Sequence, residues 1–246
     1  RWSWTRGLEP CPGEGPYELL VRHDQSTGSW DVSALDGAGQ FYAVTRVGWN
    51  PKGGTVPGPP PYRLTSFQDP KIAGFFPLVL DGDGRLWLFN YLLPGWEPYP
   101  FVGDYAGVAP TDFLALSACS AVSFGEVHLF VIDEEGLISR NVGAGWEDYA
   151  RIDGAPPYRL DGFVKSAAED VWYELKVLDG EGRLFFHQGD RFEEYGKPCG
   201  GTPPRDLAVY RNPTRGTHII FVVDSTGALF TPTPTGGWVI LCASFD

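Results

Sequence analysis

Residues 80–99, LDGDGRLWLFNYLLPGWEPY, contain two kinds of side chain that could do chemistry. Asp81 and Asp83 alternate as the first oxygen ligands of a calcium loop do. Trp96 and Glu97 place an aromatic face next to a carboxylate, a combination that suits sugars because their C–H faces stack on rings while acids bind their hydroxyls. The stretch could therefore be a metal site, part of a ligand site or a plain hairpin.

The aspartate turn recurs at a regular interval. The pattern apolar-Asp-x-x-Gly-x-apolar occurs five times, with its aspartate at Asp36, Asp81, Asp133, Asp179 and Asp224. The intervals are 45, 52, 46 and 45 residues, which suits four-stranded blade repeats. Because the residues inside the turn vary while the aspartate stays, we predict a structural role in which its carboxylate accepts backbone N–H groups. Only the second repeat has another aspartate two residues after the turn aspartate, as a calcium loop requires. Calcium binding is therefore a remote alternative, and no metal or other cofactor is predicted.

Each repeat also holds four short apolar runs separated by turn residues. Runs rich in Val, Leu, Phe, Tyr and Trp are typical of strands. The run at 164–178, VKSAAEDVWYELKVL, could be a helix by itself, but its sister segments are strand-like. We therefore predict an all-β fold, a five-bladed β-propeller of four-stranded antiparallel blades that forms one domain over 1–246. The blades are predicted at 16–54, 61–104, 110–154, 157–199 and 204–246.

The two ends of the chain are expected to complete the ring. The segment 1–15 has the tryptophan spacing of a fourth strand that leads into a first strand. Pairing of the N- and C-terminal strands would cover the strand edges that an open seam exposes. Cys11 and Cys242 lie near opposite ends of the chain, and we hypothesise that a disulfide between them joins the seam.

The candidate ligand-binding residues recur with the repeat. A large aromatic residue follows each turn aspartate by 13 to 15 residues, and tyrosine–arginine pairs open two of the first strands. The predicted sugar-binding set is Trp49, Trp96, Trp146, Phe192, Trp238, Tyr62, Arg63, Tyr158, Arg159, Glu97 and Glu147. The alternative is that the aromatic residues only pack between neighbouring blades.

A second set of candidates lies two residues after the proline that begins each first strand. It comprises Glu18, Arg63, Asp112, Arg159 and Asp206, which would form a ring along a central channel. The charges alternate except where Asp206 would meet Glu18. We expect neighbouring ion pairs, with a shared proton or ion at the like-charged contact as the sharper alternative.

Composition and motifs exclude several function classes. The net charge of −12 disfavours nucleic acid and anionic membrane surfaces, and no apolar run approaches the length of a membrane helix. The four cysteines form no C-x-x-C pair, which removes the usual zinc and thiol-redox motifs. The histidines, at 23, 128, 187 and 218, fall at unrelated places in the repeat and predict no cluster.

The D-x-x-G turns, Gly-Trp strands and proline-rich linkers, most clearly in FFPLVLDGDGRLWLF and GAGQFYAV, resemble those of lectin-type β-propellers. The chain looks most like the tachylectin-type five-bladed sugar-binding proteins, in which nearly identical blades each offer an N-acetyl sugar pocket. The repeats here have diverged, so some blades would be purely structural. The resemblance implies a secreted, extracellular, non-enzymatic lectin whose partners are glycans or glycoproteins, with no nucleic acid or membrane insertion.

Two alternatives stay open at this point. Five-bladed propellers also host glycoside hydrolases with acids on their inner strands, for which Glu18, Asp112 and Asp206 are the candidates. The intervening arginines argue against a paired set of acids. The third interpretation is a scaffold or receptor module that binds a protein partner through the same face.

Overall fold

A computed structural model describes residues 11–24, 29–45, 48–69, 74–100, 102–119, 124–166, 171–189, 191–198, 202–211, 218–233 and 237–242. Within these ranges twenty strands form five antiparallel sheets of four strands, and each sheet comes from one continuous segment. The predicted fold class, an all-β five-bladed β-propeller, is confirmed. The closing segment predicted at the N-terminus falls mostly on 1–10, outside the described residues.

The strands follow chain order within every blade. Blade one has β1 (Glu18–Asp24), β2 (Ser29–Leu35), β3 (Gln40–Thr45) and β4 (Gly48–Thr55). Blade two has β5 (Arg63–Asp69), β6 (Gly74–Leu80), β7 (Leu86–Asn90) and β8 (Gly95–Pro98). Blade three has β9 (Pro110–Cys119), β10 (Phe124–Asp133), β11 (Leu137–Asn141) and β12 (Trp146–Arg151). Blade four has β13 (Arg159–Ser166), β14 (Val171–Leu178), β15 (Leu184–Gln188) and β16 (Arg191–Gly196). Blade five has β17 (Pro204–Arg211), β18 (His218–Asp224), β19 (Leu229–Pro232) and β20 (Trp238–Cys242).

The ambiguous run at 164–178 is strand wherever it is described, in β13 and β14, so repeat alignment outweighs its local helical pattern. The described residues contain no helix with the length and apolarity needed to span a membrane.

Contacts divide the chain into two compact units, the first with blades one and two and the second with blades three to five. In the first unit Phe41 and Phe89 are buried at the centre of one apolar cluster. Among its described residues the second unit has two apolar clusters, and β14 contributes to both because side chains alternate across a strand. Val177 packs into the cluster shared with blade three, and Leu178 into the cluster shared with blade five.

The hairpin between the second and third strands of each blade is built on the recurring aspartate. One carboxylate oxygen accepts the N–H groups of the residues two and four places on, at 2.7–3.1 Å. The glycine three places on has φ between 76° and 83° in all five turns, in the left-handed region that favours glycine. The aspartates are at most 3% exposed, so these bonds compensate their burial.

The proline-rich linkers lie against these turns. In blade two the Pro59 carbonyl accepts the Gly82 N–H at 2.8 Å, and the Gly84 carbonyl accepts the N–H of Tyr105 at 2.7 Å. The turns and the linkers therefore occupy the same end of the blade.

The cysteine hypothesis concerns a residue that the structure describes only in part. Cys11 is half-buried, and burial raises the pKa of its thiol. The side chain of Cys242 lies outside the described residues, so the disulfide stays a prediction.

Candidate functional site

A cavity of about 360 Å³ lies in the second unit, where blade three adjoins blade four. Blade three contributes Arg140 from β11 and Tyr149 from β12. Blade four contributes Lys165, Val171, Trp172, Tyr173, Glu174, Lys176, Phe186, His187, Gln188 and Gly189. The volume falls in the range of roughly 300–1,000 Å³ that small-molecule pockets occupy.

The cavity forms where β14 and β15 part. Backbone pairing between these strands covers three residue pairs and ends at Lys176 and Phe186, whereas β14 extends back to Val171. Side chains alternate along a strand, so Tyr173 projects to one face of the sheet and Trp172 to the other. Beyond the last backbone pair, side chains of both faces line a single space. This end of the blade lies opposite the D-x-x-G turn.

One wall of the cavity is aromatic and carries a guanidinium. The Arg140 guanidinium carbon lies 5.0 Å from the centre of the Tyr149 ring and 5.9 Å from that of Tyr173, both cation–π distances. Glu147, which belongs to the predicted ligand set, accepts a hydrogen bond from Arg140 Nε at 3.0 Å. These contacts hold the guanidinium in place while 28% of the side chain remains exposed.

His187 bridges the gap between β15 and β14. Its Nδ1 lies 3.3 Å from the Tyr173 carbonyl oxygen, which can only accept, so Nδ1 carries the hydrogen. Its Nε2 lies 3.2 Å from the Tyr149 hydroxyl oxygen. His128 is buried, and its Nδ1 contacts the Tyr173 hydroxyl. Although the histidines share no place in the repeat, His128, His187 and His218 all lie at or beside this cavity.

The other wall contains a buried ion pair. Lys176 Nζ lies 3.1 Å from a carboxylate oxygen of Glu174 and 4.0 Å from the centre of the Phe186 ring, and its side chain is 1% exposed. His218 and Lys165 approach the same carboxylate to 3.4 and 3.8 Å. Burial lowers the pKa of Lys176 and of His218, against the opposing effect of Glu174. Burial alone would raise the pKa of Glu174, but Lys176, with smaller effects from His218 and Lys165, holds it below its usual value.

Trp172 and Lys165 stand directly opposite each other across β13 and β14. Cross-strand partners project to the same face of a sheet, with their Cβ atoms roughly 5 Å apart. Trp172 is 56% exposed despite its size, and the Lys165 side chain is 69% exposed. An aromatic face and an ammonium group are therefore accessible side by side.

The predicted aromatic residues lie elsewhere, and none of the described side chains that line the cavity belongs to the predicted sugar-binding set. The Trp96 ring packs edge-on against Phe41 and Phe89, with centroid distances of 5.6 and 5.1 Å. Phe192 and Trp238 pack against the two apolar clusters of the second unit. The geometry of these three side chains fits the alternative in which the repeated aromatic residues pack between neighbouring blades.

The predicted tyrosines lie at the linker end of the blades. Tyr62 and Tyr158 are 7% and 1% exposed. The Tyr62 hydroxyl donates to the Gly58 carbonyl at 2.8 Å. A Cβ atom added at the turn glycine of the preceding blade would meet the tyrosine hydroxyl at 3.0 Å at Gly39 and at 2.9 Å at Gly136. Both rings therefore cover a neighbouring turn.

Three further residues of the predicted sugar-binding set, Trp49, Trp146 and Glu97, lie on fourth strands. Trp49 and Trp146 are half-buried near the starts of β4 and β12. Glu97 accepts a hydrogen bond from the Asn90 side chain at 2.9 Å across β7 and β8.

The predicted ring of charges on the first strands is partly described. In the first unit an Arg63 guanidinium nitrogen lies 3.1 Å from a Glu18 carboxylate oxygen, an ion pair between neighbouring blades. In the second unit Arg159 donates to the Thr111 and Arg205 carbonyl oxygens at 3.3 and 3.1 Å. The predicted contact of Asp206 with Glu18 would join the two units and stays a prediction.

Two acids link neighbouring first strands in the second unit. Asp112 accepts the Leu160 N–H at 2.6 Å, and Asp161 accepts the Val209 N–H at 2.6 Å. Burial raises the pKa of Asp112 to about 6 and that of Asp161 to about 7, and it also raises the pKa of Asp206.

Neither Asp161 nor the residues that line the cavity were predicted from the sequence, but Asp161 differs in type from the residues at the equivalent places. The places equivalent to Asp161 in the other repeats hold Leu20, Thr65, Leu114 and Ala208. A charged side chain where most sister repeats are apolar marks a repeat with an additional role.

No family model matches the chain, and no curated protein is similar to it in sequence. Solved structures match it over most of its length. The fucose-specific lectin from Aleuria aurantia has a TM-score of 0.57 at 12% identity over 91% of this chain and 76% of the lectin. AofleA from Arthrobotrys oligospora has a TM-score of 0.59 at 13% identity over 91% of this chain and 69% of AofleA. BBS1N, solved in complex with ARL6DN, has a TM-score of 0.58 at 14% identity over 94% of this chain and 70% of that chain. The chain is therefore similar in fold to lectin-type β-propellers, as its repeats predicted.

Proposed function

We propose that this protein binds carbohydrate in the cavity beside blades three and four. The observation that carries the proposal is the exposed ring of Trp172, which stands beside Lys165 and shares the cavity with Glu174 and Arg140. A sugar needs an apolar platform for its C–H face and nearby charged groups for its hydroxyls. This cavity offers both.

The similar structures support the ligand class. The Aleuria aurantia protein is a fucose-specific lectin, and its fold resembles that of this chain. Because the sequence identity is only 12%, this similarity in fold supports a saccharide ligand in general rather than fucose in particular. Secretion belongs to the same proposal, since glycans occur mainly on secreted and surface proteins.

A non-enzymatic role has more support than hydrolysis. The inner-strand acids that a hydrolase would use already hold neighbouring strands: Glu18 pairs with Arg63, and Asp112 accepts two backbone N–H groups. Acids occupied in this way are poor candidates for the paired carboxyl groups of a glycosidase.

A glycan array with the wild-type protein and Trp172→Ala tests the proposal. Removal of the ring should weaken binding of every positive glycan about tenfold or more, as at other aromatic hot spots. Tyr91→Ala, which removes another exposed aromatic ring from the first unit, should bind like wild type. The proposal fails if no glycan binds, or if Trp172→Ala binds as well as wild type.

Protein binding is the second candidate. Leu92 and Leu93, at the turn between β7 and β8, are 91% and 73% exposed beside Tyr91, and exposed apolar patches are typical of interaction sites. BBS1N, which is similar in fold, was solved with ARL6DN. A silent glycan array, together with a purified partner that binds wild type but not Leu92→Ser/Leu93→Ser, would favour this candidate.

A further inference from the structure

We propose that the saccharide bound in this cavity carries a negative charge, as a carboxylate or a sulfate ester. This inference rests on the proposed function and specifies its ligand. Three cationic side chains line the cavity, Arg140, Lys165 and Lys176, against the single carboxylate of Glu174. Glu147 lies outside the lining but pairs with Arg140, so the described charged groups at the cavity sum to +1 in a chain whose net charge is −12. A local field opposite in sign to the rest of the molecule attracts an anion.

The charged pair in this wall is not required by the fold. Counted back three and five residues from the turn aspartate, blade four has Lys176 and Glu174. The same places are apolar in blades two and five, with Leu78 and Phe76, and Phe221 and Ile219; blade one has Ser33 and Asp31, blade three has Phe130 and His128, and no sister blade has a lysine beside an acid there. The desolvation of a buried ion pair often makes it no more stabilising than apolar residues of similar volume. A charged pair in this blade is therefore better explained by a ligand than by folding.

The ion pair also removes an obstacle to an anion. Glu174 would repel a negative ligand, but Lys176 and Lys165 lie within 3.1 and 3.8 Å of its carboxylate. These two cations more than balance its charge.

Lys165 is the cation best placed to reach the ligand. Lys176 is buried, and Arg140 is held by Glu147 and the tyrosine rings. The Lys165 side chain is 69% exposed, and the nearest carboxylate among the described residues, that of Glu174, is 3.8 Å away. Because Lys165 lies opposite Trp172 in the strand register, a sugar ring stacked on the indole would carry its anionic substituent beside the ammonium group.

An array that presents each glycan in neutral, carboxylated and sulfated forms tests the inference on the intact protein. The charged forms should bind roughly three- to tenfold more tightly, and 0.5 M NaCl should reduce this preference because salt screens exposed charges. Lys165→Gln should remove most of the preference. Lys197→Gln, which removes an exposed lysine outside the cavity, should leave it unchanged. The carboxylated and sulfated series identify which anionic group is preferred.

The possible failures can be told apart. If neutral glycans bind as well as their charged forms, the inference is overturned and the proposed function stands. If Lys197→Gln lowers the preference as much as Lys165→Gln, the preference does not arise in this cavity and the inference is overturned as well. If no glycan of any form binds, both proposals are overturned.

Discussion

Lys176 and Glu174 form an ion pair of 3.1 Å in which the lysine side chain is only 1% exposed. Blade two has leucine and phenylalanine at the equivalent places, and Leu78 there is fully buried. The same strand position thus accepts either apolar packing or a buried charge with its partner. We infer that blade four retains charge there at the expense of stability.

The first prediction concerns the stability of this pair. Glu174→Gln leaves a buried ammonium without its carboxylate and should lower the free energy of unfolding by about 3–5 kcal/mol. The double variant Glu174→Phe/Lys176→Leu introduces the residues of blade two and should be as stable as wild type, or more stable by about 1–4 kcal/mol. Urea unfolding at neutral pH measures both. A double variant as unstable as the single one would contradict the prediction.

The second prediction separates the two aspartates of the turn in blade two. Asp81→Ala leaves three donors without an acceptor, the N–H groups of Asp83 and Arg85 and the indole N–H of Trp87. We expect the free energy of unfolding to fall by about 3 kcal/mol, because unsatisfied buried donors cost roughly 1–3 kcal/mol each.

Asp83→Ala is the matched control, measured by the same thermal unfolding. Asp83 is half-exposed and pairs with the exposed Arg85. Its replacement should therefore change the free energy of unfolding by no more than about 0.5 kcal/mol. Calcium should not raise the melting temperature of the wild-type protein or of Asp83→Ala. A rise with calcium in wild type that Asp83→Ala abolishes would instead favour a calcium loop.

The third prediction concerns Trp96, which packs between the blades of the first unit. Trp96→Ala should lower stability by about 3 kcal/mol, because it removes ring contacts with Phe41 and Phe89. The indole N–H is buried without a hydrogen-bond partner among the described residues. Trp96→Phe should therefore cost less than about 1.5 kcal/mol. Chemical unfolding ranks the two variants.

Glycan binding below the unfolding transition provides the control for Trp96. Both variants should bind like wild type, since the cavity lies in the other unit. Loss of binding in well-folded Trp96→Phe would return this residue to the ligand site.

The fourth prediction concerns the pH dependence of stability. The pKa is about 7 for Asp161 and about 6 for Asp112, both raised by burial from the ordinary 3.8. A raised pKa means that the folded state binds the proton more tightly than the unfolded state. The contribution of these two carboxyl groups to the free energy of unfolding is therefore complete below about pH 4 and is lost as the pH rises through 6 and 7.

Comparison with Asp161→Asn isolates this contribution. Between pH 8 and pH 5 the stability of wild type should rise relative to that of the variant, whatever constant cost the amide introduces. Asp148→Asn, which changes an exposed carboxyl group, should follow wild type across the range. Parallel pH profiles for wild type and Asp161→Asn would disprove the assignment.

The repeated turn shows why the fold could be predicted from the sequence. Each D-x-x-G turn is satisfied almost entirely by its own residues: the Asp81 carboxylate binds N–H groups two and four places on, and Gly84 supplies the positive φ. Local chemistry of this kind is visible in the sequence. Five such turns at a blade-length interval therefore specified the strands, including β14, against its local helical pattern.

The cavity of blades three and four, in contrast, depends on side-chain contacts that the repeat pattern does not predict. The predicted aromatic residues kept phase with the turn, but regular recurrence is also typical of residues that the fold itself needs, and Trp96 and Tyr62 pack against neighbouring blades. The cavity residue Trp172 breaks the repeat, since no other blade has an aromatic residue at the equivalent place. The proposed site therefore rests on a deviation from the repeat rather than on its recurring residues.

The sequence by itself determined the number of blades, their strand order and the structural role of the turn aspartates, because these follow from periodicity and short-range hydrogen bonding. Only the tertiary structure decided where a ligand could enter. Arg140 and Lys165 are 25 residues apart in the chain and belong to different blades, yet they line one cavity. Strand divergence and packing between blades, rather than spacing along the chain, bring such side chains together.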